Sequence, residues 1–149
     1  MKIQKSEMPE ISLKYSTNGT VKTKIKNAME AHSLFLSLFD PDTLEYKEMA
    51  IVLFLNRANH VLGWMKLSEG GTSSTVIDSK IIFATALKCN ASAIILSHNH
   101  PSGTIEPSNQ DIVVTESITK FGNLIDIKLL DHVIITKTSF YSFADNGRI

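Results

Sequence analysis

The sequence predicts an α/β domain in which a mixed β-sheet is sandwiched by helices. Two apolar runs of strand length, Met49–Leu55 and residues 61–67, lie close together in the chain. The apolar helix pattern of Ser79–Lys88 is then followed by a short apolar run at 93–96. A helix followed by a buried strand is the alternation typical of α/β proteins.

Composition bounds the class of protein. The chain has 149 residues, of which 43% are hydrophobic and 20% charged, as expected for one globular domain. Its 15 basic and 15 acidic residues balance, and no basic cluster suggests binding to nucleic acid through phosphate neutralisation. One cysteine, Cys89, excludes an internal disulfide. With no apolar segment resembling a signal peptide or membrane span, we expect a cytoplasmic protein.

The first 45 residues predict an extension packed on the core domain, which is expected to span residues 46–149. Alternating apolar positions predict a strand over residues 10–16, before Asn18-Gly19. A helix is predicted over residues 24–39, with Pro41 beyond its end. His32 on this helix and His60 in the following turn have no metal-ligand spacing, so both are expected at the surface.

The core domain opens with a predicted hairpin, whose two apolar strands are joined through residues 56–59. Asp78 is a good N-cap for the next helix. After the strand at 93–96, a further helix is predicted from Ser108 to Phe121, ending at Gly122-Asn123. Two last strands, 125–130 and 132–136, precede an aromatic tail.

The chemistry of the chain concentrates in the loop after the strand at 93–96. His98 and His100 are two positions apart, so in extended backbone their side chains point the same way, with Cα atoms roughly 6.5 Å apart. Asp111 follows in the first turn of the next helix, after a turn containing proline and glycine. Catalytic zinc is typically held by three protein ligands, such as two histidines and one carboxylate, and its fourth position is left open. The sequence therefore predicts one Zn²⁺ held by these three residues.

A simpler reading exists for Asp111. Ser108 precedes it by three residues, a spacing that resembles a helix capping box. The two readings are compatible, because a cap uses the backbone N–H of Asp111 and leaves its carboxylate available to a metal. The Ser108 hydroxyl also keeps its own proton to donate.

The pattern His98-x-His100, seven residues, Ser108, two residues and Asp111 resembles the JAMM signature. The fuller strings HNHPSG and PSxxD are similar to the RadC branch of that family, and further likeness runs from about Glu48 to the C-terminus. The resemblance implies a JAB/MPN, cytidine-deaminase-like fold and a zinc-dependent hydrolase that cleaves a peptide or isopeptide bond in a peptide or protein substrate. It also makes Asp131, beside His132, a candidate to support a ligand.

The resemblance also implies a catalytic glutamate on an early strand, and Glu48 matches it by position. Glu69 is the rival, although a glutamate before two glycines reads more simply as a loop residue. In the implied mechanism Glu48 acts as general base and then acid, while the Ser108 hydroxyl donates to the developing oxyanion.

Two other functions stay open at this point. The first is a DNA-associated repair factor or a metal-dependent nuclease, which the balanced charge and the short N-terminal region, too short for the helix-hairpin-helix region frequent in RadC proteins, argue against. The second is a non-catalytic MPN-like module that binds a partner. The sequence does not indicate the natural substrate or the oligomeric state.

Overall fold

The computed structural model describes residues 16, 23–71 and 75–149, so the strand predicted over residues 10–16 lies outside the described part of the chain, apart from Ser16. Within it, three helices and five strands follow in the order α1 Ala28–Leu38, β1 Met49–Leu55, β2 Val61–Glu69, α2 Ser79–Lys88, β3 Ala93–Asn99, α3 Asn109–Leu124, β4 Lys128–Ile135 and β5 Phe140–Ser142. None of these helices is both long and apolar enough to cross a bilayer.

The strands form one mixed sheet in the order β2-β1-β3-β4-β5. Strand β3 is central, and it pairs antiparallel with β1 and parallel with β4. Helix α3 provides the crossover between β3 and β4, as a parallel pair requires. The predicted α/β class with a mixed, helix-covered sheet is confirmed.

The sheet separates two cores, because successive side chains of a strand point to opposite faces. One core lies under α1 and contains Phe35 and Phe39 with alternate residues of β1, β3 and β4. The other lies under α2 and α3 and contains Ile82, Phe83 and Ile118 with the remaining alternate residues. In β3 the odd-numbered positions face α1, and the even-numbered positions face α2 and α3.

Three elements were predicted closely. Strand β1 and helix α2 have the predicted bounds, and Asp78 caps α2 by accepting from the Lys80 and Ile81 N–H groups. The hairpin between β1 and β2 also forms, with Asn59 at φ 61° in its turn. Helix α1 begins later than predicted, because Lys24 pairs with His60 as an isolated bridge and Asn27 is the N-cap.

Four predicted details were wrong. Strand β3 continues past 96 to Asn99, and the two strands predicted at 125–136 are one continuous strand, β4. Part of the aromatic tail forms β5, whose pairing with β4 is non-local. Helix α3 runs through Gly122, where a Cβ would collide with the Ile127 carbonyl oxygen. His32 is half-buried and stacks on Phe140, with ring centroids 4.3 Å apart.

Candidate metal centre

The two candidate histidines extend from the end of the central strand. His98 lies in β3, opposite Ala50 of β1, and is 2% exposed. His100 follows the last residue of β3, and its N–H still donates to the Ile135 carbonyl of β4 at 2.9 Å. Because they are two residues apart, both imidazoles lie on the face that packs against α2 and α3. The local sheet geometry therefore makes the two side chains converge.

Asp111 reaches the histidines from the start of α3. Ser108 is the N-cap of this helix, and its Oγ accepts from the Asp111 N–H at 3.1 Å. The Asp111 carboxylate returns the contact, with Oδ2 accepting from the Ser108 N–H at 2.8 Å. This capping box was expected, and it fixes the rotation of the carboxylate toward the strand. The cap and the approach to the histidines thus coexist.

The ligand atoms of the three residues converge on one point. His98 Nε2 lies 2.9 Å from His100 Nε2, and the two nitrogens lie 3.2 and 3.4 Å from Asp111 Oδ1 and Oδ2 respectively. Ligands of a tetrahedral zinc ion, each ~2 Å from the metal, lie about 3.3 Å apart. Because the spacing and the donor set both suit such an ion, this group could hold a metal.

The charges of the group are strongly coupled. Burial on its own would raise the pKa of Asp111, but hydrogen bonds with His100 and His98 hold that pKa well below its ordinary value. Burial would likewise lower the pKa of His100, yet the pKa is raised by hydrogen bonds to Asp111 and the Thr104 carbonyl and by the charges of Asp111 and Glu48. Asp111 is thus an anion beside the two imidazole nitrogens.

Glu48 lies in the cleft that opens over this group, a space of about 630 Å³ that His98, His100, Ser108 and Asp111 also line. It immediately precedes β1, on the same face of the sheet as Ala50. Its backbone N–H donates to the Gly71 carbonyl at 3.3 Å, and its carbonyl accepts from the Gly70 N–H at 2.8 Å. The carboxylate is therefore presented from an anchored piece of backbone.

Asn99, the residue between the two histidines, holds this backbone from the other face of the sheet. Its Oδ1 accepts from the Met49 N–H at 2.7 Å. Its Nδ2 donates to the Lys47 carbonyl at 2.9 Å and to the Leu44 carbonyl at 2.7 Å. The amide thus bonds to the peptide groups on both sides of Glu48. Sequence reasoning gave Asn99 no role, although a buried asparagine requires several partners.

The rival glutamate has a different environment. Glu69, the last residue of β2, pairs with Lys47 at 2.8 Å and with Lys66 at 3.5 Å. Hydrogen bonding to Lys47, followed by the charges of both lysines, lowers the pKa of this exposed carboxyl. Glu69 does not line the cleft around the three candidate ligands. Of the two glutamates, the structure places Glu48 beside the group.

Sequence reasoning missed His132 and Thr115, which lie directly behind the ligands. His132 is fully buried in β4, stacks on Phe143 with ring centroids 4.8 Å apart, and has its Nε2 2.7 Å from His98 Nδ1. Burial lowers its pKa well below the ordinary value. A histidine inside an apolar strand was the available signal, since a buried imidazole needs partners.

Asp131, the expected support, instead accepts from Ser142 and the Ala144 N–H.

The sequence of this chain resembles those of known proteins over most of its length. The family model described as RadC-like JAB domain matches residues 23–148, nearly the whole chain. The chain belongs to the RadC-like JAB domain family. The resemblance found in the HNHPSG and PSxxD strings is therefore confirmed, and the mixed five-stranded sheet with three helices is consistent with a JAB/MPN fold.

Relatives of this RadC-like domain carry the designation UPF0758. A UPF0758 protein of Flavobacterium johnsoniae is 46% identical over 96 residues, which cover 64% of the chain and 42% of the relative. One from Haemophilus influenzae is 36% identical over 144 residues, covering 97% of the chain and 64% of the relative. One from Aquifex aeolicus is 32% identical over 145 residues, covering 97% and 61%. The chain therefore spans less than two thirds of the length of these relatives.

Proposed function

We propose that this domain is a zinc-dependent hydrolase of the JAMM type that cleaves an amide bond in a peptide or protein. The observation that supports the proposal best is the convergence of two imidazole Nε2 atoms and one carboxylate in a cleft that also contains Glu48. Two histidines and an aspartate leave a fourth position of a tetrahedral ion open, as catalytic zinc sites do. His98, His100 and Asp111 would hold the ion.

Bound zinc would supply a water of lowered pKa and polarise the substrate carbonyl. Glu48 would take one proton from the attacking water and would then deliver it to the leaving amine nitrogen. The carboxylate returns to its starting state when the C–N bond breaks. The anchoring of its backbone by Gly70, Gly71 and Asn99 keeps it over the site during both transfers.

We expect the Ser108 hydroxyl to stabilise the oxyanion. Ser108 lines the cleft, and its Oγ accepts from the Asp111 N–H, so its own hydrogen is not used in that bond. Donation of this hydrogen to the developing negative charge would be worth about 3 kcal/mol in the transition state. Its position at the N-terminus of α3 adds a favourable dipole for an anion.

The lining of the cleft favours a peptide over a nucleic acid. Among the residues described, it contains three acidic side chains, Glu48, Glu106 and Asp111, and neither lysine nor arginine. An anionic phosphate backbone would meet repulsion there without a basic group to position it. The overall charge balance of the chain points the same way.

The test compares Glu48→Gln with Glu69→Gln in the full chain loaded with zinc. Hydrolysis is measured on a mixed library of internally quenched peptides and lysine-linked isopeptides, and zinc content by mass spectrometry. We expect Glu48→Gln to keep its zinc and lose at least about 100-fold in hydrolysis, the usual contribution of a general base, while Glu69→Gln changes neither. Unchanged hydrolysis in Glu48→Gln would rule out its role.

The same preparation discriminates the other functions. Cleavage of DNA with Zn²⁺, Mn²⁺ or Mg²⁺ that disappears in His98→Ala would replace the peptidase with a nuclease. A folded protein that binds no metal would favour a partner-binding module instead.

A further inference from the structure

We propose that His132 and Thr115 are positioning residues that fix the tautomer of His98 and thereby set the metal affinity of the site. The inference rests on the proposed metal site and extends it to two residues that contact no substrate. It derives from a continuous chain of short hydrogen bonds that runs from the backbone of α3 to the candidate ligand.

This series of hydrogen bonds has three links, all inside the protein. The Thr115 Oγ1 lies 2.6 Å from the Asp111 carbonyl oxygen and 2.7 Å from His132 Nδ1. His132 Nε2 lies 2.7 Å from His98 Nδ1. Thr115, His132 and His98 are each at most 2% exposed, so water does not compete for these groups.

The direction of the chain follows from proton counting. A carbonyl oxygen only accepts, so the single hydroxyl proton of Thr115 goes to Asp111, and Thr115 Oγ1 must accept from His132 Nδ1–H. A neutral imidazole carries one N–H, which leaves His132 Nε2 as an acceptor for His98 Nδ1–H. His98 Nε2 is then bare, and its lone pair points to the atoms of His100 and Asp111.

The opposite direction would close the site. If His132 donated from Nε2, His98 Nδ1 would have to accept, and a neutral His98 would carry its proton on Nε2. That proton would occupy the position that the metal needs. The hydrogen bond made by one ring nitrogen decides which nitrogen remains for a metal. The Thr115 hydroxyl therefore acts on His98 through His132, two hydrogen bonds away.

His100 obtains the same tautomer by a shorter route. Its Nδ1 lies 2.7 Å from the Thr104 carbonyl oxygen, which can only accept. In the neutral imidazole that can bind a metal, His100 Nε2 is therefore bare as well. The two histidines differ in one respect: a side-chain hydroxyl acting through His132 orients His98, whereas a backbone carbonyl orients His100 directly. Only the His98 arrangement can be removed by changing a side chain that touches neither His98 nor His100.

The first test is the tautomer of His132 in the zinc-loaded full chain, read from long-range ¹H–¹⁵N NMR spectra. We expect a proton on Nδ1 and a bare Nε2 at His132, with a slowly exchanging Nδ1 proton on His98. A His132 protonated on Nε2, or on both nitrogens, would contradict the proposal even if zinc is bound by His98.

The second test is zinc affinity, measured by competition with a chromophoric chelator. Thr115→Val removes the hydroxyl, and Thr115→Ser retains it. We expect Thr115→Val to bind zinc about 10–100-fold more weakly than the wild type, and Thr115→Ser to remain within about threefold. His132→Phe should resemble Thr115→Val if it folds, because it keeps the ring stacked on Phe143 and removes the acceptor for His98.

The outcomes separate this proposal from the proposed function. A folded Thr115→Val protein with wild-type zinc affinity would overturn the positioning role alone. If His98→Ala leaves zinc stoichiometry and affinity unchanged, the metal site itself is wrong, and the positioning role falls with it. A purely structural role of Thr115 would lower thermal stability in both Thr115 variants without separating their zinc affinities.

Discussion

The central strand β3 presents different chemistry to the two layers of helices that cover it. Toward α1 its side chains join an apolar core that includes Phe35 and Phe39. Toward α2 and α3 the same strand begins with Ile94 and Leu96 in a second apolar core and ends in His98, among buried polar groups. Burying such groups is unfavourable unless each is hydrogen-bonded. One face of the sheet thus contributes mainly to stability, while part of the other face forms the candidate metal site.

The largest effect on stability is expected when a large side chain is removed from the α1 face. Phe35→Ala leaves a cavity among fully buried residues, and we expect it to lower the free energy of unfolding by about 3–5 kcal/mol. The protein that remains folded should bind zinc with wild-type stoichiometry. Urea unfolding and metal analysis of the folded fraction check both statements. Loss of zinc from folded protein would show that the two faces are not separate.

The reciprocal change is His98→Ala on the site face. It removes a ligand. Loss of a group that only supports a ligand typically lowers metal affinity by about 10–100-fold, so we expect the loss of His98 to lower zinc affinity by at least about 100-fold. The metal-free variant should remain folded, because the apolar side chains of both cores are unchanged. Equilibrium dialysis and circular dichroism provide the measurements, and His60→Ala is a control histidine outside the group. Equal zinc affinity in the two variants would contradict the assignment.

Asn99 is a buried polar residue on the α1 face, and its amide holds the backbone on both sides of Glu48. Asn99→Ala leaves the Met49 N–H and two carbonyls without their partner, and we expect a loss of about 2–3 kcal/mol in stability. Hydrolysis should fall while zinc content is kept. Asn56 at the far end of β1 caps the hairpin turn through the Ala58 and His60 N–H groups, so Asn56→Ala is the matched control. It should lose stability without losing hydrolysis.

The smallest expected effect is the pH dependence of stabilisation by zinc. In the metal-free protein the pKa of His100 is raised, so protonation stabilises that fold below the ordinary histidine pKa, and this contribution disappears as the pH rises through the raised value. Zinc needs the neutral imidazole instead. The increase in Tm on adding zinc should therefore be larger at about pH 7.5 than at about pH 5.5. The same increase at both values would contradict proton competition.

The sequence predicted those parts of the fold whose signals are local. Strand β1 is a continuous apolar run, and α2 and α3 begin after the capping residues Asp78 and Ser108, so their positions could be read directly. The three candidate ligands were also predicted, because extended backbone fixes the direction of His98 and His100 and a first-turn aspartate follows. These inferences need only a few neighbouring residues.

The errors occurred where distant residues decide the structure. Ser97, His98 and Asn99 look like a loop. Ser97 and His98 pair with both β1 and β4, and Asn99 pairs with Ile135 of β4, so all three belong to strand β3. Asp131 looks like a break between two strands, yet Ser142 and the Ala144 N–H satisfy its buried carboxylate and β4 continues. The environment of His132 could not be predicted for the same reason, since its partners Thr115 and His98 lie on other elements.

The most direct test of the central claim is anomalous X-ray diffraction from crystals of the zinc-loaded protein, with data collected on both sides of the zinc absorption edge. We expect one strong zinc peak about 2 Å from His98 Nε2, His100 Nε2 and the Asp111 carboxylate, with Glu48 facing it across the cleft. A zinc peak elsewhere, or one bound through His98 Nδ1, would contradict it.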